Sequence, residues 1–178
     1  MDVSEIISEE IMFDLFKEII KDSTNVFTIH YKNAYVSGKT FQNTVLPLNT
    51  ENGIQYKSKV QLISDYYFNM NDTLFISNQI KKDTFDIYKL SDIGYKTFDW
   101  SKLDDSVSRA LVPQDSLDKI SELIKNNNYI SISNPIFNKS MNQAYIEIDY
   151  ETYRGISILY KKKNNVWAFD KRVGNWIR

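Results

Sequence analysis

Apolar positions recur every fourth residue near the start of the chain and every second residue near its end. Ile7, Ile11, Leu15 and Ile19 fall one per helical turn, Phe16 and Ile20 widen the stripe, and Glu9, Glu10, Asp14, Lys17 and Lys21 are polar. This spacing predicts an amphipathic helix over 3–21, with Ser4 as its N-cap. From Tyr129 to Arg178 the period changes to two, which predicts strands with one buried face. Ile146, Ile148 and Tyr150 fall on one side of such a strand, and Tyr145, Glu147, Asp149 and Glu151 on the other.

Two reversals divide this C-terminal stretch into a β-meander. Thr152-Tyr153-Arg154 followed by Gly155 suits one turn, and Asn164-Asn165 suits a two-residue turn needing positive φ, which Asn tolerates best after Gly. Pairing Glu151 with Gly155 and Lys163 with Val166 aligns Ile146, Tyr160 and Phe169 in one cross-strand row. The same register sets Glu147 opposite Leu159, Asp149 opposite Ser157 and Tyr145 opposite Lys161. The stripe Glu147, Asp149 and Glu151 is then expected to face water near Lys161 and Lys163, short of the six or more oxygens that calcium takes.

Between these ends the pattern is less regular. Val26 to Val36 alternates loosely and is rich in β-branched and aromatic residues, predicting a strand that ends near Ser37-Gly38. Pro47, Asn52 and Gly53 make 41–56 read as irregular. Val60, Ile63 and Tyr67 predict a helix over 59–68, Asn71-Asp72 cap another over 73–80, 84–88 reads as a strand, and Asp92-Ile93-Gly94 as a turn. A connecting loop is expected over 95–112, then a helix after Pro113 carrying Leu117, Ile120, Leu123 and Ile124, stopped by Asn126 to Asn128. With no repeat, low-complexity tract or linker, the expected architecture is one α+β domain over 1–178. In it, the N-terminal amphipathic helix and a second helix pack on an antiparallel sheet that ends in the meander at 129–178.

Composition narrows the function classes. At 178 residues, 42% hydrophobic and 25% charged, the chain is long enough to bury a core. A net charge of −1 and a pI near 5.9 give no basic field, and Lys161 to Lys163 is the one local basic run, so nucleic acid is not an expected partner. No run of 18 apolar residues exists, so no transmembrane segment is expected. The first ten residues are acidic rather than leader-like, which points to the cytoplasm if Met1 is the native start; an exported chain with its leader trimmed would read the same. The absence of cysteine removes disulfides, thiol nucleophiles and cysteine metal sites.

His30 is the single histidine, so a Ser-His-Asp arrangement must run through it, but no G-x-S-x-G stretch supplies a nucleophile. Two-histidine zinc sites are impossible, and the D-x-D-x-D-G calcium spacing is absent; no catalytic residue, metal or cofactor is assigned. Asp99, Asp104 and Asp105 around Trp100 resemble the carboxylates of a glycosidase and equally any acidic loop. Among 12 tyrosines and 10 phenylalanines, Tyr66, Tyr67, Tyr145 and Tyr153 are the candidates for a ligand-stacking platform, set against the plainer role of core filler. The expected function is a non-catalytic binding or interaction module for a protein, peptide or glycan. The alternative is a hydrolase whose carboxylate site is assembled by the fold.

Ser133-Asn134-Pro135-Ile136-Phe137, then an aromatic-bearing strand, then Lys161-Lys162-Lys163-Asn164-Asn165-Val166-Trp167 and a final Trp176, resembles the closing segment of small uncharacterised exported or lipoprotein-type proteins of Bacteroidetes. The resemblance covers the last quarter of the chain. Members of that group often carry a Cys-Gly pair near the hairpin; here Gly155 is kept without a cysteine, so no redox or disulfide role carries over. What the resemblance implies is an extracytoplasmic, cell-envelope location and no activity.

Overall fold

In the computed structural model, which describes residues 7–21, 35–39, 44–81, 86–97, 114–125, 129–150 and 154–177, the N-terminal stripe forms helix α1 (Glu9–Lys21). Leu15, Phe16 and Ile19 are fully buried and Ile7 nearly so, as the four-residue recurrence requires. The helix starts later than the periodicity implies. Its cap is Ser8, whose carbonyl and Oγ both accept from the Ile11 amide, and Glu9 and Glu10 then occupy the first turn, where the helix dipole favours acids.

The chain continues through β1 (Tyr35–Lys39), β2 (Val45–Thr50), β3 (Gly53–Ser58), α2 (Lys59–Tyr66), α3 (Thr73–Lys81), β4 (Lys96–Thr97) and α4 (Gln114–Lys125). Five strands follow: β5 (Tyr129–Ser133), β6 (Ile136–Phe137), β7 (Gln143–Tyr150), β8 (Arg154–Lys163) and β9 (Val166–Ile177). Among the described residues, the main sheet has seven strands in the order β4-β1-β5-β7-β8-β9, with β6 paired to β7. From β5 onward the pairing is antiparallel, but β1 runs parallel to both β4 and β5. The long connections out of β1 permit this, since parallel neighbours need a crossover. The fold is thus α+β with a mixed, mostly antiparallel sheet.

One face of that sheet is dry. Ile130, Ile132, Ala144, Ile146, Ile148, Ile156, Ile158 and Tyr160 form a core with Leu15, Phe16 and Ile19 of α1. The opposite face meets α2 and α3, where Val60, Ile63 and Ile76 pack with Ile136, Tyr145 and Leu159. Helices thus lie against both faces of β7.

Four expectations need correction. The stretch 41–56, read as irregular, enters at Val45 a two-stranded ribbon that runs to Ser58 and in which Thr50 pairs with Gly53, whose φ is +107°. Pro47 is tolerated because a lone ribbon offers it an unpaired edge. Of the segment expected as a strand over 84–88, the described part, from Asp86 on, instead opens a 3-10 helix from Ile87 to Ile93, because the Asp86 side chain caps it at the Tyr88 amide and Gly94 closes it with φ +96°. The second hairpin is as expected, with Lys163 opposite Val166 and Asn164 and Asn165 both at positive φ. The first hairpin is offset by two residues: Tyr150 pairs with Arg154, so the cross-strand row is Ala144, Tyr160 and Phe169, without Ile146. The fourth concerns the stripe expected to face water. Glu147, only 3% exposed, pairs with Ser157 in the true register and lies beneath α2.

Candidate functional site

The Ser-x-Pro pattern at 133–135 shapes the floor of a cleft. Strand β5 pairs with β7 as far as Ile132 opposite Ile148, and the pairing resumes only at Ile136 opposite Tyr145. Pro135 has no N–H to give a ladder. In the gap, the Glu147 amide donates to Ser133 Oγ at 2.9 Å, so a side chain replaces the missing backbone acceptor.

Beside this gap the cross-strand rows dictate what rises from the sheet. One row runs Ser131, Asp149, Gly155, Trp176 across four strands; the next runs Glu147, Ser157, Gly174. Gly155 has no side chain, and the Trp176 indole lies where its Cβ would be. Trp176 thereby reaches across β8, and its Nε1 donates to Asp149 Oδ1 at 3.0 Å. Gly174 gives the same clearance to the Ser157 hydroxyl. Small residues in the middle of the rows and large ones at the rim leave a cleft of about 750 Å³, lined by Lys59, Tyr67, Tyr145, Glu147, Asp149 and Trp176 among others. That size falls within the ~300–1,000 Å³ typical of small-ligand sites.

The roof is α2. Ser58 and Gln61 form a capping box that fixes its first turn, which places Lys59 over the sheet. Lys59 Nζ lies 2.7 Å from Glu147 Oε1 and 5.9 Å from the centre of the Trp176 ring. The Tyr145 hydroxyl donates to the same Glu147 oxygen at 2.9 Å. Burial, reinforced by the Glu147 carboxylate, pushes the Tyr145 phenol well above its ordinary value, so this hydroxyl stays a donor. Two donors converge on a carboxylate that is almost wholly desolvated, the arrangement a buried charge requires.

Of the four tyrosines singled out from sequence, the fold brings two together. Tyr67 and Tyr145 stack with ring centres 6.4 Å apart and planes 16° apart, both lining the cleft, and the Tyr67 hydroxyl reaches the Val173 carbonyl at 3.4 Å. Tyr66 points away, exposed, with Lys57 Nζ 5.7 Å from its ring. Tyr153 lies outside the described residues, as do His30, Asp99, Trp100, Asp104 and Asp105. Lys59, Glu147, Asp149 and Trp176 were not proposed as a site; the signal available was Gly155, whose missing side chain makes room for an aromatic on the neighbouring strand. Among the described residues, no three Asp, Glu or His side chains gather as metal ligands. Among the described residues, no helix is long and apolar enough to cross a membrane. Neither a protein-family model, nor a curated protein, nor a solved structure matches the chain.

Proposed function

We propose that the protein is a non-catalytic binding module, placed in the cell envelope by the resemblance of its closing segment, and that its ligand enters the cleft beneath α2. The observation that carries this reading is the combination of a fixed aromatic, Trp176, with a polar wall whose charged groups are already tied by hydrogen bonds. Such a wall orients a ligand without itself reorganising, which lowers the cost of binding.

Glu147 and Asp149 favour a second reading, a carboxylate hydrolase. They lie two residues apart on one strand face and both line the cleft, and glycoside hydrolysis uses a pair of carboxyl groups. That chemistry needs one carboxyl to donate a proton, whereas here each accepts from a fixed donor. The test is a fragment screen by amide-resolved NMR on the full chain, with chromogenic glycosidase, esterase and phosphatase substrates alongside. Fragments are expected to shift cleft residues without turnover. Turnover that Glu147→Gln abolishes would replace the binding reading with the hydrolytic one.

A further inference from the structure

Resting on that reading, we infer that the cleft takes a neutral carbohydrate, with a sugar ring packed against the part of the Trp176 indole that Gly155 and Lys59 leave exposed and its hydroxyls bonded by Asp149 and Ser131. A pyranose presents an apolar C–H face and a rim of hydroxyls that both donate and accept. Its complement is a flat, immobile aromatic surrounded by short polar side chains. Trp176 meets the first requirement. Its position is fixed by contact with the backbone at Gly155 and by the 3.0 Å bond to Asp149, so little side-chain freedom is left to lose on stacking. The rim meets the second: Thr44, Ser131 and Ser157 line the same cleft, and the Asp149 carboxylate can take several donors.

Charge argues for a neutral ligand. The position that would suit a cation, between Glu147 and the Trp176 ring, holds the protein's own Lys59 ammonium. Lys59 is in turn neutralised by Glu147, so among the described residues the cleft offers an anionic ligand no uncompensated cation, and Asp149 would repel it. A peptide added as a further strand is disfavoured for a separate reason. The outer strand β9 carries Asp170, Lys171 and Arg172 and is broken by two register shifts, both of which discourage strand addition.

The experiment is a titration of the full chain with soluble neutral oligosaccharides (gluco-, xylo-, manno- and N-acetylglucosamine oligomers), followed through the indole N–H signals of the three tryptophans. Peptide and alkylamine probes are run in parallel. At least one sugar is expected to bind saturably and move the Trp176 signal. Trp176→Ala should weaken that binding by about tenfold or more, as for a buried aromatic anchor. Gly155→Ala, which displaces the ring while leaving it in the chain, should weaken it comparably, and Trp176→Phe less. Circular dichroism confirms that each variant is folded, and Trp176→Phe supplies the comparison if Gly155→Ala is not. Sugar binding that survives both Trp176→Ala and Trp176→Phe overturns the inference. If peptides or amines fill the cleft and no sugar does, the carbohydrate assignment fails while the binding module stands. If no probe of any class moves a cleft signal, both fail.

Discussion

Strand β7 has two faces made from alternate residues of the same eight-residue segment, and they are held in opposite ways. Ala144, Ile146 and Ile148 meet Ile156, Ile158 and Tyr160 under α1, where the stabilisation comes from apolar area removed from water and is indifferent to direction. Tyr145, Glu147 and Asp149 meet Leu159, Ser157 and Gly155 under α2, where a desolvated carboxylate is held by an ammonium and a phenol whose geometry matters. The difference teaches that burial and dryness are separate properties. A dry face closes completely, whereas a polar face of fixed donors, floored by glycine and serine, leaves space for a ligand.

The largest expected effect tests the dry face. Phe16 is fully buried and meets Tyr95 edge-on with ring centres 6.2 Å apart, so Phe16→Ala should cost about 3–5 kcal/mol in urea melts. The indole signal of Trp176 should stay where it is, since the loss lies across the sheet. A loss below about 1 kcal/mol would mean that α1 does not cover this face as described.

Glu147→Ala is the matching cut on the polar face. It strands the Lys59 ammonium, whose side chain keeps 20% of its exposure, together with the Tyr145 hydroxyl, and should cost about 3 kcal/mol. Combining Lys59→Met with Glu147→Leu should recover most of that loss, because an apolar pair removes both desolvation penalties. If the double variant is no better than Glu147→Ala, the ion pair itself holds α2 on the sheet. Either outcome shows whether the polar face is kept for stability or for its ligand.

How much of this was legible follows from the range of the interactions. The four-residue stripe of α1, the capping box of α2 and the Asn164-Asn165 turn are local, and each could be read from neighbouring residues. The cover on Glu147 is not local: Lys59 lies 88 positions away, and alternation along β7 separates two faces without saying which one meets water. The first hairpin was misplaced by two residues, which keeps every side chain on its own face but exchanges its partners, so that Glu147 was set opposite Leu159 in place of Ser157. For the same reason Asp149 was not seen opposite Gly155, the juxtaposition that lets Trp176 cross the strand. The ribbon at 45–58 escaped notice because its strands show no buried face: Tyr56 is 70% exposed and Ile54 61%.

Tyr145→Phe separates the hydroxyl from the ring. The ring keeps its stack on Tyr67, so the loss is the hydroxyl's bonds with Glu147 and Ser157, of which the one to the charged acceptor is the larger, about 1.5 kcal/mol. Burial raises the folded-state phenol above the ordinary value of 10.0, so this group's contribution is whole below that pH and declines as the pH climbs from there toward the folded value. The gap between wild type and Tyr145→Phe should therefore narrow in melts taken at about pH 11 relative to about pH 8. A gap that holds constant would show that the phenol is not desolvated in the fold.

The smallest expected effect concerns the turn that sets which residues reach which face. Asn164 and Asn165 adopt φ of 52° and 62°, the left-handed conformation that a two-residue hairpin loop needs at both positions. Glycine enters this region without the Cβ penalty, so Asn165→Gly should stabilise the protein by roughly 0.5 kcal/mol, and Asn165→Ala should destabilise it by about 1 kcal/mol. Neither change touches the core or the cleft. The turn pins Lys163 opposite Val166 and Tyr160 opposite Phe169, and beyond that point two register shifts realign β9 so that Gly174 meets Ser157 and Trp176 meets Gly155. A one-residue slip at the turn would carry every β9 side chain to the wrong face. The two variants should therefore differ by about 1.5 kcal/mol in melts while sharing one Trp176 indole signal. If Asn165→Ala instead moves or broadens that signal, the turn holds the register alone, and the bulges follow the turn.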